Sequence, residues 1–224
     1  MKEDSGQHFM EDKDLIKRIV KYARLKKNDV VLEIGPGRGA LTRELAKKAK
    51  VIAVEIDETF RKDLESIPNA ELHFEDALRF LKTHKKFGKI VANIPYAISE
   101  PLLNMLKNVE FELAILTVGD NFADVLTGKK ESKLSLTMPL HFDIKRLEDV
   151  PKQAFSPMPR TDSAVVEIKR KHEFIIEDEA AKDFLSQTDK LAKNALRETL
   201  TRYRKMTKKQ ARREIDKLGL DLEK

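Results

Sequence analysis

Apolar residues recur along the chain at two spacings, and the alternation between them sets out the expected elements. Leu15, Ile16, Ile19, Val20 and Ala23 share one face of a helix, with Asp12 or Asp14 placed to cap its start. Val30, Val31, Leu32 and Ile34 form the short apolar run that a parallel strand covered on both faces requires, and Leu41, Leu45 and Ala49 return to helical spacing behind it. Residues 51–57 read as a second buried strand ending in acids, and residues 58–66 as a helix. Short strands over 71–74, 89–92 and 113–118 continue the pattern, so an α/β chain is expected.

Between the first strand and its helix stand Glu33, Gly35, Gly37 and Gly39. Glycines there let a ligand approach the backbone without meeting a Cβ. The dinucleotide spacing G-x-G-x-x-G is not met at its third position, Ala40, and no G-K-[ST] follows to make a phosphate loop. What remains is a G-x-G-x-G turn behind an acid, which suits a cofactor carrying positive charge, as S-adenosylmethionine (SAM) does with its sulfonium and ammonium. Other nucleotide folds and a plain tight turn stay open on these residues alone.

The second strand narrows the choice. Glu55 falls sixteen residues beyond Gly39, about where a βαβ unit places a carboxylate for the two ribose hydroxyls. Asp76, after the third strand, is placed to receive an adenine amino group if that strand lies in the same sheet. The fourth strand delivers Asn93-Ile94-Pro95-Tyr96, the most specific chemical signal in the chain. An exocyclic amino group on a base is a poor nucleophile because its lone pair is delocalised into the ring. Two acceptors, the Asn93 side-chain oxygen and the Ile94 carbonyl held by Pro95, can take its two protons and turn the lone pair toward a methyl donor, while Tyr96 stacks on the ring.

Composition bounds this reading. A length of 224 residues fits one α/β domain and a small appendage, with the boundary expected at 171/172. Charged residues make up 37% and there is no Trp, a balance familiar in thermophile proteins rich in surface ion pairs. The absence of Cys removes disulfides, thiolate metal sites and a cysteine nucleophile, and neither His73 nor His84 has a second ligand at metal-binding spacing, so no metal is expected. No apolar run approaches a membrane span and Met1-Lys2-Glu3-Asp4 lacks a signal-peptide profile, so the expectation is a soluble, cytoplasmic monomer. The net charge of +6 is unevenly spread: residues 190–213 hold ten basic residues against the single acid Glu198, which is +9 and leaves the rest near −3. A basic helical tail on a near-neutral body reads as a contact for RNA or DNA phosphate.

Six segments, taken together and in order, carry a resemblance. Gly6-Gln7-His8-Phe9-Met10, Glu33-Ile34-Gly35-Pro36-Gly37, Val54-Glu55-Ile56-Asp57, Glu75-Asp76-Ala77, Asn93-Ile94-Pro95-Tyr96 and residues 155–166, from Phe155 to Val166, resemble the ribosomal RNA adenine N6-dimethyltransferases of the KsgA type, a family similar to the Erm resistance methylases. The resemblance implies a class I SAM-dependent methyltransferase fold, a Rossmann-like, seven-stranded, mostly parallel sheet with an antiparallel hairpin at its end, followed by a small helical domain. It implies SAM as cosubstrate and ribosomal RNA in the immature small subunit as partner. Carried over by position, His8 and Met10 border the methionine end of SAM, Gly35 lines the cofactor loop, Glu55 holds the ribose, Asp76 the adenine, and Asn93 sits between cofactor and base. Phe155 matches the family's second aromatic near the target base, beside Tyr96.

The chain also departs from the family. After the fifth strand, where a polar and basic segment is usual, it has Gly119-Asp120-Asn121-Phe122-Ala123-Asp124-Val125, which weakens phosphate contacts there. Thr188-Asp189 stands where an Arg pair is common, and Met10 where Leu is usual. Two function classes follow: an enzyme dimethylating adenine N6 in ribosomal RNA, with an adenine methylase of another RNA as its variant, and a ribosome-assembly or RNA-binding factor that keeps the methyltransferase shape with catalysis weak or lost.

Overall fold

The computed structural model describes residues 7–171 and 192–217. The chain falls into two compact units, one of residues up to 124 with 144–170, the other of 125–143 with those from 171 onward. It therefore passes between units three times, after 124, 143 and 170, where the sequence suggested one boundary at 171/172. The segment that leaves early has apolar side chains of its own to bury, Leu134, Met138 and Leu140.

The first unit carries the sheet. In chain order its elements are β1 (Phe9–Met10), α1 (Lys13–Tyr22), β2 (Val30–Ile34), α2 (Ala40–Ala46), β3 (Lys50–Glu55), α3 (Arg61–Glu65), β4 (Ala70–Phe74), α4 (Ala77–Thr83), β5 (Lys89–Asn93), α5 (Ser99–Leu106) and β6 (Leu113–Gly119). Further along the chain come α6 (Asp120–Leu126), α7 (Lys133–His141), which belongs to the second unit, β7 (Phe142–Val150), β8 (Phe155–Ser156) and β9 (Ser163–Arg170). Seven strands lie in the order β4-β3-β2-β5-β6-β9-β7. The pairs β2/β3, β2/β5, β3/β4 and β5/β6 are parallel, and β9 runs antiparallel to β6.

Local sequence explains each piece. Asp12, not Asp14, caps α1, accepting from the amides of Asp14 and Leu15 at 2.9 Å each, and Leu15, Ile16 and Ile19 turn into the core. Val31, Leu32 and Ile34 are buried because β2 is central and covered on both faces. The helix expected over 58–66 is a 3-10 turn at Glu58–Phe60, capped by Asp57, running into the short α3. At the amino end of β5 the ammonium of Lys89 is buried and paired, 2.8 Å from Asp29 and 2.7 Å from the Arg24 carbonyl. Since β2 continues to β3 on one side and lies beside β5 on the other, a crevice opens between the carboxyl ends of these strands. That is where open α/β sheets bind ligands.

A second, two-stranded sheet joins distant parts of the same unit: β1 pairs antiparallel with β8, Phe9 opposite Ser156 and Met10 opposite Phe155. The amide of Glu11 extends the ribbon with a 2.9 Å bond to the Ala154 carbonyl.

In the second unit, α7 opens on a reciprocal capping box between Ser132 and Ser135. The expected basic tail is two helices, α8 (Ala192–Tyr203) and α9 (Lys208–Lys217), packed through Leu196, Leu200, Ala211 and Ile215. Thr207 and Gln210 cap α9 reciprocally, which is why the helical run breaks there. Arg202, Arg204, Lys205, Lys208, Lys209, Arg212 and Arg213 are exposed. Lys190 and the departure at Thr188-Asp189 lie outside the described residues, as does Gly6.

Candidate active site

A cavity of about 1050 Å³ lies in the crevice at the carboxyl ends of β2–β5. His8, Met10, Glu33, Gly35, Gly37, Glu55, Asp76, Asn93, Pro95, Tyr96 and Phe155 all line it, so residues singled out from six separated segments meet at one place.

The glycine turn after β2 forms one wall. Gly37 has φ +53°, and a Cβ there would lie 2.9 Å from the Phe9 ring, so strand β1 and the turn fit together only with glycine at this position. The Glu55 carboxylate reaches across, accepting the Gly37 amide at 2.9 Å through Oε2 and the amides of Ile56 and Asp57 at 2.9 Å each through Oε1. It thus braces the turn as well as facing the cavity, and lone pairs remain on the carboxylate for a diol.

Glu33 is buried, and its Oε2 has no hydrogen-bond partner among the described residues. Burial pushes its carboxyl up to about 8; the Thr42 hydroxyl, close by but outside hydrogen-bond geometry, opposes the rise, and the charge of Glu55 adds to it. A buried acid with a spare oxygen beside a glycine turn is a receptor for a cation. The donor set therefore fits SAM: an unpartnered acid for its positive end, a braced carboxylate for its ribose, and a turn that admits its backbone-side approach.

Asp76 does more than the sequence suggested. Its side chain caps α4, with Oδ1 accepting the Arg79 amide at 2.8 Å, so one oxygen is committed to the fold. Between Glu55 and Asp57, Ile56 is 67% exposed and lines the cavity, a flat apolar surface that sequence reasoning passed over. Its signal was an apolar residue left between two acids at a strand end.

At the other end of the cavity, Asn93 Nδ2 donates to the His8 carbonyl at 3.1 Å, which leaves Oδ1 as its acceptor. The Tyr96 hydroxyl bonds Ser163 Oγ at 2.8 Å, and its ring lies over Gly119, whose absent Cβ would touch it at 3.5 Å. Tyr96 is 41% exposed, an open face. Phe155, drawn into the core by the pairing of β8 with β1, is 5% exposed and forms part of the cavity wall.

The acids after β6 are not a bare negative patch. Arg146, on β7, bonds Asp120, Asp124 at 3.1 Å and Asp149 at 2.7 Å. Of the histidines away from the cavity, His84 stacks on Phe80 at 4.0 Å and His73 meets Glu71 at 3.1 Å. Among the described residues no three acids or histidines form a metal-binding group, and no helix is long and apolar enough to cross a membrane.

A sheet of this order with a glycine turn and acids at successive strand ends defines a class I methyltransferase. The chain belongs to the ribosomal RNA adenine dimethylase family, whose model matches residues 1–222. It is 41% identical over 177 residues to a probable ribosomal RNA small subunit methyltransferase A of Methanococcus aeolicus, a match covering 75% of this chain and 65% of that relative. Its structure is similar to that of the 23S rRNA methyltransferase ErmE, with a TM-score of 0.72 at 29% identity over 96% of this chain and 91% of the other. It is also similar to a dimethyladenosine transferase from Plasmodium falciparum, with a TM-score of 0.67 at 28% identity, covering 87% and 75%.

Proposed function

We propose that this chain transfers methyl groups from SAM to N6 of adenine in small-subunit ribosomal RNA, giving N6,N6-dimethyladenine, and that it does so in the cytoplasm during ribosome biogenesis. The observation that carries this is the fixed orientation of Asn93. Because Nδ2 is held by the His8 carbonyl, Oδ1 is the atom left to accept from an amino group. With the Ile94 carbonyl as second acceptor, the N6 protons are drawn into place and the lone pair turns out of conjugation with the ring. Tyr96, fixed through Ser163, stacks on an unpaired or flipped adenine, and Phe155 bounds it at the edge.

SAM supplies the methyl group when bound. Glu33 meets its ammonium, Glu55 its ribose hydroxyls, Asp76 its adenine amino group and Ile56 the adenine face, with His8 and Met10 at the methionine end and Gly35 and Gly37 in the turn. The exposed cations of α8 and α9 hold RNA phosphate. Asp120 and Asp124 are the feature that favours an assembly factor without catalysis; with Arg146 bonded to both, they are engaged within the fold, and nothing in the cavity supports that reading.

The test is methyl transfer from labelled SAM to immature small ribosomal subunits, followed by digestion to nucleosides. N6,N6-dimethyladenosine is the expected product. Protein that binds both SAM and the subunit yet transfers no methyl group overturns the enzyme reading.

A further inference from the structure

Methylation of an amino group leaves a surplus proton. The N6 lone pair forms the new N–C bond, the S–C bond breaks with its electrons kept by sulfur, and the positive charge passes from sulfur to nitrogen. One N6 proton must then leave, and dimethylation requires this twice. Asn93 Oδ1 and the Ile94 carbonyl accept hydrogen bonds, but an amide oxygen does not hold a proton at neutral pH. Of the six carboxyls that line the cavity, Glu33 is protonated below about pH 8, Glu55 binds three amides, Asp76 caps α4 and Glu44 pairs with Lys47 at 2.6 Å, which leaves Glu11 and Glu75. Glu33, Glu55 and Asp76 stand at the ends of β2, β3 and β4.

His8, at the methionine end of the proposed SAM site, offers a nitrogen base instead. Its Nδ1 lies 2.8 Å from the Pro157 carbonyl oxygen, which only accepts, so Nδ1 carries the hydrogen. The neutral ring then offers Nε2 as a bare lone pair. Among the described residues no hydrogen bond reaches Nε2. The ring centroid lies 6.1 Å from that of Tyr96, and the His8 carbonyl holds Asn93. The imidazole therefore stands beside Tyr96, and the backbone of the same residue holds Asn93.

We infer that His8 Nε2 is the proton acceptor for the target amino group, with the Pro157 carbonyl fixing the tautomer that makes it one. The inference rests on the proposed function. As N6 attacks, its proton passes to Nε2; the resulting imidazolium keeps its Nδ1 bond to Pro157 and returns the proton to solvent before the second transfer. The groups that meet the ring are the Tyr96 phenol, from the loop after β5, and the uncharged Pro157 carbonyl, from the loop after β8; Glu11 is the next acid along its own segment.

His8→Gln tests this, because glutamine keeps a side-chain N–H for Pro157 but has no basic nitrogen. Single-turnover methyl transfer should fall by about 100-fold or more, the range for a general base. The rise in rate between pH 5 and 8 that an imidazole imposes should vanish with it. A variant as fast as the parent, or slowed equally at every pH with the rise intact, overturns the role. A second measurement needs neither catalysis nor a variant: ¹⁵N NMR of the histidine-labelled parent at pH 8 should show His8 protonated on Nδ1 and bare on Nε2, and the opposite tautomer overturns the role. Parent that transfers no methyl group removes the proposed function and this role together; an active parent with an equally active variant removes this role alone.

Discussion

Replacing Glu33 with glutamine keeps the shape of a buried side chain and takes away its ionisation, and the consequence can be worked from the site. Burial lifts the Glu33 carboxyl from its ordinary 4.5 to about 8. Between those values the folded protein holds a proton that the unfolded chain has released, so stability falls as pH rises through that window. The contribution is complete below pH 4.5 and lost above about 8. The full gap corresponds to a ceiling of about 5 kcal/mol, and relaxation around the carboxylate lowers it. Urea denaturation at pH 5, 7 and 9 should show the parent losing roughly 2–5 kcal/mol relative to Glu33→Gln across that range, whatever offset the amide introduces at pH 5. The same ionisation should appear on binding SAM. At pH 7 the free carboxyl is mostly protonated, so a cation that draws it into its charged form releases a proton, readable by calorimetry in buffers of different ionisation enthalpy. Stability curves that run parallel for parent and variant, with no proton released by either, would refute the assignment of Glu33 as a buried receptor for positive charge.

Asn93→Ala should cut methyl transfer by about two to three orders of magnitude with RNA binding barely changed, as removal of a positioning group does. Tyr96→Ala should also weaken capture of the adenine, by roughly 1–3 kcal/mol; equal RNA affinity in both variants argues against the stacking role. Glu55→Ala should weaken SAM binding by roughly 1.5–3 kcal/mol, and unchanged affinity in calorimetry means that the ribose is held elsewhere. Replacing Lys208, Lys209, Arg212 and Arg213 with glutamine should reduce the slope of log affinity against log salt by about 0.7–0.9 for each phosphate that is no longer neutralised, with preference among RNA sequences preserved. An unchanged slope leaves α9 a solvated helix.

What the sequence made legible was chemistry confined to a few consecutive residues. The glycine turn, the acids at strand ends and Asn93-Ile94-Pro95-Tyr96 each carry their signal locally, and the sheet brings them to one cavity. The Thr207 and Gln210 box that divides the basic tail is equally local, yet a reading by charge alone passed over it. Other features depend on partners far along the chain. A two-residue strand such as β1 has no periodicity, so nothing in residues 9 and 10 announces Phe155 and Ser156. Arg146 reads as one more surface charge until β7 carries it to Asp120 and Asp124. Asp76 could be read as a ligand or as a cap, and only the start of α4 shows that one of its oxygens is already used. Residues 125–143 carry no boundary signal in composition, and their grouping with the carboxyl-terminal residues emerges only from packing.

The β1–β8 ribbon also dictates when, during synthesis, the cavity can be finished. Met10 waits for Phe155, 145 positions later, and closing a loop of that length costs about 4 kcal/mol in chain entropy, more than four paired residues repay on their own. The ribbon forms because the sheet has already carried both ends to the same edge. A nascent chain that has passed Asn93 owns every acid of the cavity, yet it lacks the strand that presses the His8 carbonyl against Asn93 and the carbonyl that orients the His8 ring. Two halves of the protein, split in the loop between β7 and β8, would each be inert, and activity would return only on reassembly, so the cavity is completed by the folding of the unit and not by the appearance of its motifs.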